Sequence, residues 1–159
     1  DYIIGPLIAL GQFKPELEID FDASMKSLTQ TGSNTFNATV AQQVVKDGVL
    51  ASTENCNKNL KQKDSKGIHY YSWTGVAQAT NALDIDTILM QLGPLSYGSK
   101  DNDGMVSRCS AFMGKVIHDQ YKLNHTDLAN MMFGLKGVFA PDPVALYRQH
   151  ANRLKLEGL

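Results

Sequence analysis

Residues 102–127 read N-D-G-M-V-S-R-C-S-A-F-M-G-K-V-I-H-D-Q-Y-K-L-N-H-T-D. Asp103 falls in an Asn-Asp-Gly turn, where Gly104 admits a φ that other residues resist, so a carboxylate is presented from a loop tip. His125 stands at the threshold of a helix, between Asn124 and Thr126, with Asp127 two residues on. A general base needs one ring nitrogen free for the nucleophile and the other held by a carboxylate. Asp103 and His125 are therefore candidates for the acid and base of a hydrolytic triad, provided the fold brings them together. The competing reading is an ordinary Asp-Gly turn and a surface imidazole.

The serines do not supply the third member. An α/β-hydrolase nucleophile sits on a G-x-S-x-G turn between a strand and a helix and precedes the acid and the His in chain order. No serine here has that flanking pair of glycines, Ser33, Ser99, Ser107 and Ser110 included. The expectation is a nucleophile upstream of Asp1.

Working outward, residues 112–121 have mixed apolar character and predict strand or loop, and a short helix is expected over 127–133, stopped by Gly134. Asp142-Pro143 supplies an N-cap and a proline at the first helical position, so the segment V-A-L-Y-R-Q-H-A-N-R-L continues as a terminal helix. Upstream, I-H-Y-Y-S-W at 68–73 is aromatic-rich and predicts a strand. His69 and Trp73 within it invite a functional role, but a lone His on a strand is more often a structural or surface residue. Leu83, Ile85, Ile88, Leu89 and Leu92 mark a helix or helical turns carrying Asp84 and Asp86, broken by Gly93-Pro94. Residues 51–67 are polar and without periodicity, a surface loop.

In the first third, Ile3, Ile4, Leu7, Ile8 and Leu10 recur at helical spacing with almost no polar face. That stretch is either a buried helix or a mobile lid whose apolar side turns to a lipid surface. An acidic loop follows over 13–22. Asp22 is expected to cap a short helix to about Thr29 that stops near Gly32. Ser33 or Asn34 would then cap a longer one ending at Asp47-Gly48.

With 159 residues the chain can bury roughly 70% of its unfolded surface in one domain. A net charge of −1 lacks the basic excess of a nucleic-acid partner. No run reaches the roughly 18 apolar residues of a membrane span, and the first residues lack the basic region of an intact signal peptide. Cys56 and Cys109 are far apart and in no C-x-x-C pair, so on residue types they are either buried thiols or a disulfide. Asp84 and Asp127, with backbone carbonyls after Asp127, could offer calcium its oxygen ligands, although no EF-hand pattern is present. The alternative is two solvated surface carboxylates.

The runs H-Y-Y-S-W-T-G, N-A-L-D, N-D-G-M-V-S-R-C-S, G-K-V-I-H-D-Q-Y-K-L-N-H-T-D and V-A-L-Y-R-Q-H-A-N-R-L-K, in this order, resemble the C-terminal half of the secreted Pseudomonas-type (family I) triacylglycerol lipases. The likeness covers residues 56–159 and is looser over 1–55. It implies an α/β-hydrolase fold represented by its C-terminal part: lid-region helices within 1–50, then the last strands, the acid and His loops and the terminal helix over 51–159, without the nucleophile elbow. It also implies that Asp103 and His125 are the triad acid and base and that Cys56 and Cys109 form the single disulfide. A structural calcium ion would be held by Asp84, Asp127 and the carbonyls of Met131 and Leu135. Residues 1 to about 13 would be lid.

The implied activity is hydrolysis of long-chain triacylglycerols at lipid–water interfaces by a secreted enzyme, with a membrane-anchored foldase as a further partner. A non-catalytic calcium- or lipid-binding module on the same scaffold is the alternative.

Overall fold

The computed structural model describes residues 23, 26–27, 29–51, 56–81, 101–131 and 134–159. The lid-region stretch over 1–13 and the expected helix carrying Asp84 lie outside them.

Helix α1 (Gln30–Thr39) is capped by Thr29, whose hydroxyl accepts from the Gly32 amide at 3.1 Å. Gly32 therefore lies in the first turn of this helix, and Ser33 and Asn34 lie inside it rather than at a cap; the short helix expected from Asp22 to about Thr29 lies largely outside the described residues. The glycine is required there because a Cβ would overlap the Lys26 carbonyl oxygen. The longer helix expected to reach Gly48 is split at Val40 and Ala41, and α2 (Gln42–Lys46) follows. Hydroxyls explain the weakness of the joint: Thr39 bonds back to the Thr35 carbonyl at 2.7 Å, a contact that bends helices. Gly48 then ends α2 with φ 76°, as its sequence position indicated.

Strand β1 (Tyr71–Gly75) starts three residues later than the aromatic run suggested. Asp64 is the reason, since its Oδ1 accepts the amides of Lys66 and Ile68, each at 2.9 Å, and its Oδ2 accepts the Tyr70 hydroxyl at 2.9 Å. Those bonds fold 64–68 into a turn and delay the ladder. Strand β2 (Lys115–Tyr121) resolves the ambiguous 112–121 segment and runs parallel to β1, with Tyr71 opposite Lys115 and Gly75 opposite Tyr121. These two are the strands of the sheet among the described residues. Parallel strands need a crossover connection, so this pairing belongs to an α/β arrangement.

After β2 the chain enters α3 (His125–Leu128), a single turn beginning two residues before the expected helix start. Asn124 is its cap: Asn124 Oδ1 accepts the Asp127 amide at 2.7 Å and Asp127 Oδ2 accepts the Asn124 amide at 3.2 Å. This reciprocal capping box satisfies both turn amides. Helix α4 (Pro143–Leu156) lies where Asp142-Pro143 predicted it, with Asp142 Oδ1 accepting the Val144 amide at 3.0 Å. It packs on β1 through edge-on contacts of Trp73 with Tyr147 and His150, at centroid separations of 5.5 and 5.2 Å. Glu157 at its end accepts from the Tyr71 hydroxyl, from Gln62 at 3.0 Å and from Lys115 at 3.4 Å. Trp73 and His69 are thereby structural, the latter 3.5 Å from the Gln62 amide.

Among the described residues the buried set is more polar than apolar. Val49, Phe112, Leu123 and Ala140 are the buried hydrophobic residues, against Asn102, Asp103, Ser107, Asp119, Asn124, Thr126 and Asp127 in the 102–127 stretch alone. The interior there is a hydrogen-bonded framework. Asp119 of β2 pairs with Lys58 at 2.7 Å and Arg108 at 3.5 Å, and these cations outweigh burial, which pushes the other way, to hold its carboxyl below the usual range.

Next to Arg108, Cys109 is bonded to Cys56 across a sequence separation of 53. Opening a loop of that length costs on the order of 4 kcal/mol in chain entropy. Cys56→Ser with Cys109→Ser is expected to show about that loss in urea unfolding, and reductant is expected to reproduce it with the native chain.

Candidate active site

Two turns build the site. In the first, Asp103 is 3% exposed, and its Oδ1 accepts the amides of Met105 and Val106 at 3.0 and 2.8 Å. Gly104 has φ 101°, and its amide goes to Asn102 Oδ1 at 2.8 Å. An L side chain at that φ would be strained, so the N-D-G motif is a geometric requirement of this turn. The base of the turn is closed by the Arg108 amide on the Asp101 carbonyl at 2.9 Å. With Oδ1 occupied by backbone, Oδ2 has one direction left to face.

It faces His125. The ring Nδ1 donates to Asp103 Oδ2 at 2.9 Å, and the His125 backbone amide donates to the Asp103 carbonyl at 2.8 Å. The carboxylate has thus fixed the imidazole tautomer, because a carboxylate can only accept. The His125 side chain is 41% exposed, so the ring is within reach of an approaching group. The hydrogen bond to Asp103 raises the His125 pKa above its ordinary value; burial opposes that rise and the carboxylate's charge adds to it. A buried acid orienting a half-exposed imidazole is the pairing a general base needs.

Asp127 is 1% exposed and points its second oxygen, Oδ1, at no hydrogen-bond partner among the described residues. A buried carboxylate oxygen without a donor is costly unless a cation takes it. Met131 and Leu135 follow on the same loop, and Asp84 lies outside the described residues. Among the described residues no three His, Cys, Asp or Glu side chains form a metal cluster.

Sequence reasoning passed over the two asparagines, Asn102 and Asn124, each immediately before a site residue and each fully buried. The signal was present for Asn124, since Asn with Asp three residues later is a capping-box signature. It also passed over Asp119, which looks like an exposed residue in H-D-Q.

No protein-family profile matches the chain. Among curated proteins it is 44% identical over 137 residues to a triacylglycerol lipase of Vibrio cholerae serotype O1, an alignment covering 86% of this chain and 41% of that protein. Over 89 residues it is 44% identical to a triacylglycerol lipase of Burkholderia plantarii, covering 54% and 25%. Over 129 residues it is 34% identical to one from Pseudomonas fragi, covering 71% and 43%. Over most of its length the chain is thus similar to part of bacterial triacylglycerol lipases. It spans about two fifths of the length of the Vibrio lipase it matches. No helix of the described residues is long and apolar enough to cross a membrane.

Proposed function

We propose that these residues contribute the acid and the base of a serine-hydrolase triad that cleaves long-chain triacylglycerols, and that the nucleophilic serine resides on polypeptide outside the 159 residues. The observation that carries this reading is the 2.9 Å bond between a buried Asp103, locked by two backbone amides, and the half-exposed ring of His125. His125 Nε2 takes the proton as the serine oxygen attacks the ester carbonyl, then returns it to the departing glycerol oxygen. Asp103 holds the tautomer and stabilises the imidazolium that forms in between. Water repeats the cycle on the acyl-enzyme and releases the fatty acid.

A structural calcium ion belongs to this reading. Asp127, whose buried Oδ1 has no donor among the described residues, would hold it with Asp84 and the carbonyls of Met131 and Leu135. Bound there, a cation would neutralise the Asp127 carboxylate and pin the loop that follows His125. A secreted enzyme fits the disulfide, which persists in oxidising compartments. A lid over residues 1–13, activation at the lipid interface and a dedicated foldase follow from the family resemblance.

The test uses the full-length protein on emulsified long-chain triacylglycerol and on a soluble short-chain ester, with and without a calcium chelator. Hydrolysis that rises once substrate exceeds its solubility, and that falls on chelation in step with thermal stability, is the expected result. Absence of hydrolysis with all native polypeptide present would leave a non-catalytic lipid- or calcium-binding module.

A further inference from the structure

Between β1 and the residues that follow it runs a six-residue strap, V-A-Q-A-T-N at 76–81. Almost every residue of it is tied to one side of the site. The amides of Val76 and Ala77 continue the ladder onto the carbonyls of Tyr121 and Leu123, at 2.9 and 3.3 Å. Gln78 Nε2 donates to the Asn102 carbonyl at 3.0 Å, and Thr80 Oγ1 accepts from Asn124 Nδ2 at 3.2 Å. Asn81 Nδ2 reaches the Lys136 carbonyl at 3.2 Å.

Two of those ties fall on matching places. Asn102 and Asn124 are the residues immediately before Asp103 and His125, and neither has any exposed surface. Each asparagine spends its own side-chain oxygen inside its turn, Asn102 on the Gly104 amide and Asn124 on the Asp127 amide and the Thr126 hydroxyl. The Asn102 carbonyl and the Asn124 side-chain nitrogen go to the strap. The acid turn and the base turn thus share one reference, and that reference is covalently continuous with β1.

This arrangement does something the Asp103–His125 contacts cannot. The two bonds between the turns fix their separation, and the base turn follows β2 by covalent continuity; the strap adds a tie from each turn to the end of β1. We infer that Gln78 and Thr80 are positioning residues, which set the place of the acid–base pair relative to β1 and hence to the nucleophile. The inference rests on the triad reading of Asp103 and His125. A displacement of about 1 Å between reacting groups costs on the order of 100-fold in rate, so small slack in the strap is felt at the chemical step.

The experiment compares Gln78→Met, Thr80→Val, Thr80→Ser and Asp103→Asn in the full-length protein. Rates are expressed per serine titrated with an organophosphorus ester, which leaves misfolded protein out of the count. Gln78→Met keeps shape and loses the donor, while Thr80→Val keeps shape and loses the acceptor. Each is expected to lower kcat about 10- to 100-fold with KM unchanged within about twofold, the signature of an interaction that matters in the transition state. Thr80→Ser keeps the hydroxyl and is expected to stay within about threefold of the native rate.

Native kcat in both Gln78→Met and Thr80→Val would overturn the inference. So would a reversed order, with Thr80→Ser impaired and Thr80→Val native, which assigns Thr80 to methyl packing. A rise in KM at constant kcat would overturn it as well. Full activity in Asp103→Asn would instead remove the triad reading itself, and that outcome is distinguishable because it does not involve the strap.

Discussion

His125→Ala in the full-length protein is expected to lower kcat for ester hydrolysis by on the order of 10⁴-fold or more, with substrate binding little changed. Among the described residues of the site the ring is the group that can move a proton at neutral pH, and on the triad reading alanine leaves the serine without a base. Asp103→Asn is the more instructive partner, with an expected loss also on the order of 10⁴-fold. The amides of Met105 and Val106 both donate to Oδ1, so an asparagine must turn its carbonyl oxygen to them and its NH2 to His125. A donor then faces Nδ1, which must become the acceptor, and the proton moves to Nε2, where a free lone pair was needed. The residue keeps its shape and the imidazole takes the wrong tautomer.

The same substitution changes the titration of His125 with a definite sign. In the native protein the Asp103 hydrogen bond raises the pKa above 6.5 against the pull of burial, and the carboxylate's charge adds to the rise. With asparagine the bond to a carboxylate and its charge are gone and burial remains, so the pKa is expected to fall below 6.5. Following the ring proton of His125 by NMR across pH 5 to 9 checks this. An unchanged titration in Asp103→Asn would remove the assignment of the pair.

How much of this was readable beforehand follows from which residues act locally. Asp142-Pro143 and Gly48 do their work within one helical turn, so the start of α4 and the end of α2 fell where the sequence placed them. Thr39 bending its own helix, and Asp64 capturing the Ile68 amide, are also local. They were missed because side-chain bonds to backbone compete with periodicity and leave no trace in it. For Asp103 and His125 the residue types were legible while the 2.9 Å contact was not, since the two lie 22 positions apart and the chain between them must fold to make it. The strap lay furthest out of reach. V-A-Q-A-T-N has neither period nor motif, and Gln78 acquires a role only once Asn102, 24 positions away, is brought against it.

The parallel register of β1 and β2 can be struck at one atom. Gly75 closes β1 opposite Tyr121, and a Cβ there would overlap the carbonyl oxygen and carbon of Leu123 and come within 3.4 Å of Leu128 Cδ1. The first two are backbone atoms, and a strand cannot rotate its carbonyl aside without releasing the ladder beside it. Gly75→Ala is therefore expected to cost about 3 kcal/mol or more in urea unfolding, the range of severe overpacking.

Gly158→Ala supplies the comparison. That residue has φ 76° but open space around its missing Cβ, so strain alone acts, costing about 1 kcal/mol. A loss in Gly75→Ala no larger than in Gly158→Ala would refute the close approach of β1 to Leu123. Because Leu123 leads directly into Asn124 and His125, the folded fraction of Gly75→Ala should also hydrolyse ester more slowly per titrated serine. Gly158, at the far end of the chain, should leave that rate untouched.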